Sequence, residues 1–219
     1  PKEKLIISLH ASLVDVAETL KEQFFKRFDY CLLTSATLKV NNSFSYFVRR
    51  IGLDESDKVI TKEFLSPFLY NEQVTYHQYG GAHEISTDPT MIGELVYHLH
   101  KTLGKRTMVL FTSRKALTDT ANYLKEKPGG RDLPLFAQTR GASRPGIIKG
   151  MHQHPNGILF GTNSFWEGVD LPGDLLEILI LVKLPFDVPS EPLVKSYSEF
   201  VSQIGGNSFM EYTVPECAI

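Results

Sequence analysis

Apolar residues recur at helical spacing at the start of the chain, at Leu9, Leu13, Val16, Leu20, Phe24 and Phe28. That period predicts a long amphipathic helix from Leu5 to Phe28. The run Asp29-Tyr30-Cys31-Leu32-Leu33-Thr34 reads as a short buried strand, and a helix is expected around Phe44 to Ile51. Lys58 to Phe64 alternates and suggests another strand, which Ser66-Pro67-Phe68 breaks. Gln73 to Tyr79 reads as a further extended segment, ended by Gly80-Gly81.

The second half is more regular. Asp88-Pro89 supplies a cap residue and a first-turn proline for a helix running to Leu103, where Gly104 closes it. A strand over Arg106 to Phe111 leads through Thr112-Ser113-Arg114 into a helix ending near Lys127. Leu133 to Ala137 is a short strand, Pro145 to Met151 a helix, and Gly157 to Gly161 an apolar strand. A polar loop from Thr162 to Gly173 precedes the continuous apolar strand Leu176 to Val182. A proline-rich loop, Pro185 to Pro192, and a helix to Ile204 follow. Strands alternate with helices and several strands are apolar throughout, so a parallel sheet covered on both faces is expected.

Composition narrows this picture only a little. The 219 residues are 42% hydrophobic and 22% charged, enough for a sizeable core. The formal net charge is -2, so any nucleic-acid site is a local groove rather than a global field. Two cysteines, Cys31 and Cys217, give no disulfide framework or four-ligand metal site. Cys31 reads as a small core residue, and a reducing cytoplasm is expected. No apolar stretch is long enough to span a membrane.

Three turns carry candidate chemistry: Thr34-Ser35-Ala36-Thr37, Thr112-Ser113-Arg114, and the stretch from Thr162 to Asp170. Each follows an expected strand. In an open parallel sheet the carboxyl ends of the strands share one edge, so the three turns are expected to converge there. Small hydroxyl residues and free N–H groups at helix starts suit phosphate oxygens. Taken singly, Thr34-Ser35 or Thr112-Ser113 is better explained as a helix cap than as a ligand site, and only the three together favour phosphate. The third also holds two carboxylates, Glu167 and Asp170, which either meet a nucleotide or merely turn the chain. Phe165 and Trp166 either stack on bases or pack against the core, with packing expected for one of the two.

Leu33-Thr34-Ser35-Ala36-Thr37-Leu38, Val109-Leu110-Phe111-Thr112-Ser113-Arg114, and Gly161 through Gly173 (GTNSFWEGVDLPG) together resemble conserved segments of the DinG/XPD-like helicases, in family order. Ser66-Pro67-Phe68 and Leu184-Pro185-Phe186 add to the likeness, and the bacterial DinG branch is the more similar. The resemblance implies a RecA-like, P-loop NTPase-type α/β lobe, mostly parallel with helices on both faces. It implies residues 1–28 as a helix leading in and residues 29–219 as the second helicase lobe. By position it places Ser35, Thr37, Ser113, Arg114, Thr162, Ser164 and Phe165 on single-stranded DNA. It places Glu167, Gly168 and Asp170 at the nucleotide, with Glu167 and Asp170 as catalytic candidates.

The implied partners are single-stranded DNA and the first helicase lobe of the same polypeptide. ATP and Mg²⁺ serve the complete protein. The chain holds no Gly-x-x-x-x-Gly-Lys-Ser/Thr loop and no Asp-Glu-Ala-His box. It is therefore expected to be a fragment, cut before the family's arginine-finger motif, that neither binds nor hydrolyses ATP alone. Two other readings compete. One is a passive RecA-like binding module or the accessory lobe of an ATP-regulated exonuclease. The other is a small α/β enzyme using one of the scattered histidines as a base, although most of these are expected at the surface.

Overall fold

The computed structural model describes residues 11–54, 56, 58–79 and 88–218. In chain order the helices are α1 (Ala17–Gln23), α2 (Ser45–Arg50), α3 (Tyr70–Gln73), α4 (Pro89–Leu103), α5 (Arg114–Glu126), α6 (Arg144–Gln153), α7 (Pro192–Gln203) and α8 (Val214–Ala218). The strands are β1 (Thr107–Leu110), β2 (Leu135–Ala137), β3 (Ile158–Gly161) and β4 (Ile178–Leu181). The chain divides into two compact units, Thr75–Pro185 and the combination of Pro1–Val74 with Phe186–Ile219.

All four strands lie in the first of these units, in the order β2-β3-β1-β4, and every pairing is parallel. This is the α/β architecture expected from the alternating pattern. Period-two alternation sorts side chains between the two faces. Val109, Phe111, Ile158 and Phe160 meet Ile92 and Val96 of α4 and Leu117, Ala121 and Leu124 of α5. Met108, Leu110 and Leu159 meet Ile147 and Met151 of α6 on the other face, together with Phe165. Phe111 and Phe160 are fully buried, with ring centroids 5.1 Å apart.

Local capping fixes where the helices begin. The Asp88 carboxylate accepts from the Thr90 N–H at 2.9 Å and Pro89 fills the first turn of α4, while Gly104, at φ 61°, ends it. Ser143 caps α6 by accepting from the Gly146 N–H at 3.2 Å. One side chain rivets the opposite end of this unit. The buried Arg106 guanidinium donates to the carbonyls of Met151 (3.1 Å), His154 (3.0 Å) and Asp174 (3.1 Å). It thereby ties the C-terminus of α6 to the 3-10 turn Gly173–Leu175 that precedes β4.

The second unit packs Tyr197, Val201 and Tyr212 into a small core. Arg50 of α2 lies 4.3 Å from the Tyr197 ring centroid and 3.3 Å from the Glu216 carboxylate of α8. Tyr46 donates its hydroxyl to the same carboxylate, and burial together with Glu216 holds that hydroxyl far above the ordinary phenol range.

Expectations for the first third of the chain are corrected. Leu5 to Phe28 is not one helix: residues 11–16 are irregular, α1 covers only Ala17–Gln23, a 3-10 turn spans Phe25–Arg27, and Leu5 to His10 lie outside the described residues. Leu13, Val16, Phe24 and Phe28 remain exposed, and a short helix without a surface for its apolar face is not stable. Asp29 to Thr34 and Lys58 to Phe64 form no strand, and Gln73 to Tyr79 joins no ladder. Tyr30, Leu32, Ile60 and Phe64 are at least 79% exposed and Cys31 is exposed, not core. Apolar composition signals a capacity for burial, but a strand exists only where a neighbouring backbone accepts its hydrogen bonds. Helices cover both faces of the sheet as expected, and β4 is an edge strand on which Leu179 and Leu181 are about half exposed. Gly80-Gly81, His10 and His83 lie outside the described residues.

His100 departs from the surface placement expected for most histidines. It is buried in α4, its Nδ1 has no hydrogen-bond partner among the described residues, and burial lowers its pKa below the ordinary value of 6.5. The unfolded chain therefore binds a proton that the folded chain refuses as pH falls through 6.5. The neutral ring's contribution is complete above that pH and is lost as pH drops toward the depressed pKa. His100→Phe is expected to flatten the loss of thermal stability between neutral and mildly acidic pH. An identical pH profile for both proteins would contradict this.

Candidate nucleic-acid interface

The β1–β3 register decides where two of the three turns emerge. Leu110 pairs with Gly161, so both strands end at one level, and the Phe111 N–H donates to the Gly161 carbonyl at 2.9 Å. The Gln138 N–H donates to the Phe160 carbonyl, again at 2.9 Å, bringing the end of β2 to the same rim. Thr112-Ser113-Arg114 and Thr162 to Phe165 thus leave the carboxyl edge side by side. Thr112, Arg114, Gln138, Thr162 and Ser164 line a cleft of about 350 Å³ there. Its one charged lining residue is Arg114, which is exposed and pairs with no carboxylate among the described residues. Ser113 is exposed and caps α5, accepting from the Ala116 N–H at 3.4 Å.

Gln138 organises the cleft. Its amide oxygen accepts from the Thr162 N–H at 2.9 Å and from the Thr162 hydroxyl at 3.0 Å, and its amide nitrogen lies 3.0 Å from Ser164 Oγ. Thr162 is buried and Ser164 exposed.

Beyond the 3-10 turn Asn163–Phe165 the chain crosses β1 on its way to β4. Phe165 is 1% exposed and packs among Met108, Leu110 and Ile147. A Cβ at Gly161 would sit 2.6 Å from the Phe165 Cβ, so the missing side chain makes room for the aromatic residue. The Phe165 ring is therefore core, and its expected place against DNA does not hold for that side chain. Trp166 is half-buried and donates its indole N–H to the Phe111 carbonyl at 3.4 Å.

The Glu167-Gly168 turn is held from α6. Arg144, the first residue of that helix, donates to the Glu167 carbonyl at 3.0 Å and to the Gly168 carbonyl. Its guanidinium carbon also lies 5.6 Å from the Phe165 ring centroid. Gly168 sits at φ 65°, a left-handed conformation that disfavours a side chain. Glu167 and Asp170 are both exposed, leaving their carboxylates available to a ligand.

Ser35 and Thr37 are also exposed, with their hydroxyls 3.5 Å apart and the Thr37 N–H donating to Ser35 Oγ at 3.4 Å. They belong to the other compact unit, and among the described residues no strand precedes them. The sheet edge thus brings together two of the three hydroxyl-rich turns by direct register. Sequence reasoning missed Gln138 and Arg144. A positional signal existed for both: Gln138 is the first residue beyond β2, on the rim where ligands of parallel sheets bind, and Arg144 opens a helix that starts from that rim.

This geometry can be set beside known proteins. Residues 96–219, more than half of the chain and including every strand, match the model of the helicase C-terminal domain. The chain belongs to the helicase C-terminal domain family. Curated relatives agree with that placement. This helicase C-terminal domain is 33% identical over 99% of the chain to the 3'-5' exonuclease DinG of Bacillus subtilis, covering 24% of that protein. It is 33% identical over 96% of the chain to the ATP-dependent DNA helicase DinG of Photobacterium profundum, covering 31% of it. It is 32% identical over 96% of the chain to the ATP-dependent DNA helicase YoaA of Haemophilus influenzae, covering 32% of it. The chain thus spans about a quarter to a third of the length of these relatives. Its sheet is the RecA-like α/β arrangement expected from the resemblance. Among the described residues no helix is long and apolar enough to cross a membrane.

Proposed function

We propose that the chain is the C-terminal motor lobe of a DinG-type, ATP-dependent DNA helicase. Its cleft rim carries the backbone of a single strand, and its Glu167-Gly168-Val169-Asp170 turn forms one wall of the ATP site. The observation that carries this reading is the Leu110–Gly161 register, which sets Ser113, Arg114, Thr162 and Ser164 on one edge, with Arg114 paired to no carboxylate among the described residues. Hydroxyls, N–H groups and one arginine suit phosphodiester oxygens and offer little to read base identity. In this reading the exposed Ser35 and Thr37 also contact the backbone of a single strand.

The nucleotide side rests on donor chemistry. Exposed carboxylates at Glu167 and Asp170 fit ribose hydroxyls, an arginine of the partner lobe, or water held by the Mg²⁺ that accompanies ATP. The phosphate loop and the metal-binding acidic box would come from the first helicase lobe of the same polypeptide, so the isolated 219-residue chain is inactive in ATP hydrolysis. The working compartment is the cytoplasm. Similarity to the Bacillus subtilis 3'-5' exonuclease DinG supports a second reading, in which the same lobe serves an exonuclease. Both readings require single-strand contact at this rim.

Arg114→Ala in the full-length protein tests that contact. Removing one phosphate contact is expected to weaken single-strand binding and to reduce the log–log salt slope by about 0.7. Unchanged binding at low and high salt, with the melting temperature preserved, would remove Arg114 from the strand.

A further inference from the structure

The hydrogen bonds around Gln138 assign a direction to each proton in the cleft. The Thr162 backbone N–H can only donate, so the Gln138 atom 2.9 Å away is the amide oxygen. The Thr162 hydroxyl donates to that same oxygen at 3.0 Å. The amide is planar, so its NH₂ group faces the other way, 3.0 Å from Ser164 Oγ. An amide nitrogen has only protons to offer, so Ser164 Oγ accepts there. The serine proton must then point elsewhere, and Ser164 is exposed on the cleft that Arg114 also lines.

We infer that Gln138 is a positioning residue that spends the Thr162 hydroxyl proton inward and turns the Ser164 hydroxyl outward, as the donor to a phosphodiester oxygen of the bound strand. The inference rests on the single-strand reading of this rim and deepens it. Two neighbouring hydroxyls that look alike in sequence have opposite roles. Thr162 holds the turn, buried and with its proton occupied, and Ser164 meets the polyanion beside the Arg114 charge. The relay also sets the sign of the site. A neutral amide can accept on one side and donate on the other, whereas a carboxylate at the same position accepts on both. Glutamate would keep the Thr162 bonds, draw the Ser164 proton inward and add a negative charge next to the phosphate.

Gln138→Glu is therefore the informative change, because it preserves the acceptor that Thr162 needs. The assay is binding of a labelled oligothymidylate to the full-length protein, with thermal melting as the control for folding. Ser164→Ala is expected to weaken binding about 3- to 10-fold, the scale of one hydrogen bond. Gln138→Glu is expected to weaken it about tenfold or more at low salt with melting preserved. In the Ser164→Ala background the same glutamate should cost less, by the factor that Ser164→Ala costs alone, leaving a repulsion that high salt suppresses. An equal cost with and without Ser164 would overturn the relay while leaving the strand contact intact. Wild-type binding by Ser164→Ala and Arg114→Ala alike would overturn the strand contact itself, and the relay with it.

Discussion

Replacing Asp170 with alanine in the full-length protein is expected to lower single-strand-stimulated ATP turnover by on the order of 10²-fold, the usual cost of removing one preorganised polar group from a charge-transfer site. The reason is the isolation of this side chain from the fold. Asp170 is exposed, lies in an irregular stretch, and follows a turn whose backbone is held by Arg144 through the Glu167 and Gly168 carbonyls. Truncating it removes no packing, so stability should stay within about 0.5 kcal/mol of the parent. A loss of turnover at unchanged melting temperature locates the effect in chemistry rather than folding. Wild-type turnover would remove Asp170 from the nucleotide site, and a large drop in melting temperature would make it a structural residue.

Arg106→Ala is expected to have the opposite signature, a loss of about 3–5 kcal/mol of stability, because several carbonyls lose a buried charged donor at about 1–3 kcal/mol each. The Arg106 side chain is 10% exposed and serves the carbonyls of Met151, His152, His154 and Asp174 at 3.0–3.4 Å. These carbonyls end α6 and the 3-10 turn before β4, and they are left without their buried donor when the guanidinium goes. The Asp174 carboxylate at 3.4 Å contributes less, being 84% exposed. Arg106→Lys should recover only part of the loss, because an ammonium lacks the planar fork that reaches several carbonyls at once. Denaturant titration measures both variants. A loss below about 1 kcal/mol for the alanine variant would show that water satisfies these carbonyls equally well.

The half of the chain that was legible in the sequence is the half that buries its own apolar surface. Met108, Val109 and Leu110, or Ile158, Leu159 and Phe160, read as fully buried strands because both faces meet helices of the same unit. Caps such as Asp88 and Gly104 announced helix ends through local chemistry that tertiary packing does not override. Tyr30-Cys31-Leu32 carried an equally apolar signal and forms no strand, since composition does not say which backbone will pair with it. The same division runs through the site. The exposed Ser113 and Arg114 were legible from a strand-to-helix turn. Gln138 and Arg144 were not, because their roles exist only in contacts made across more than twenty residues of sequence. Phe165 shows the converse: its aromatic character suggested stacking on bases, and the bare Cα of Gly161 beneath it selects packing instead.

The central claim is that the carboxyl rim of this sheet holds a single strand. Hydrogen–deuterium exchange on the full-length protein, with and without an oligothymidylate and without nucleotide, tests it most directly. Amides of Thr112, Ser113, Arg114 and Ser164 should exchange more slowly when the strand is present, while the 167–170 turn keeps its rate. Protection elsewhere in the protein, with this rim unchanged, would contradict the account.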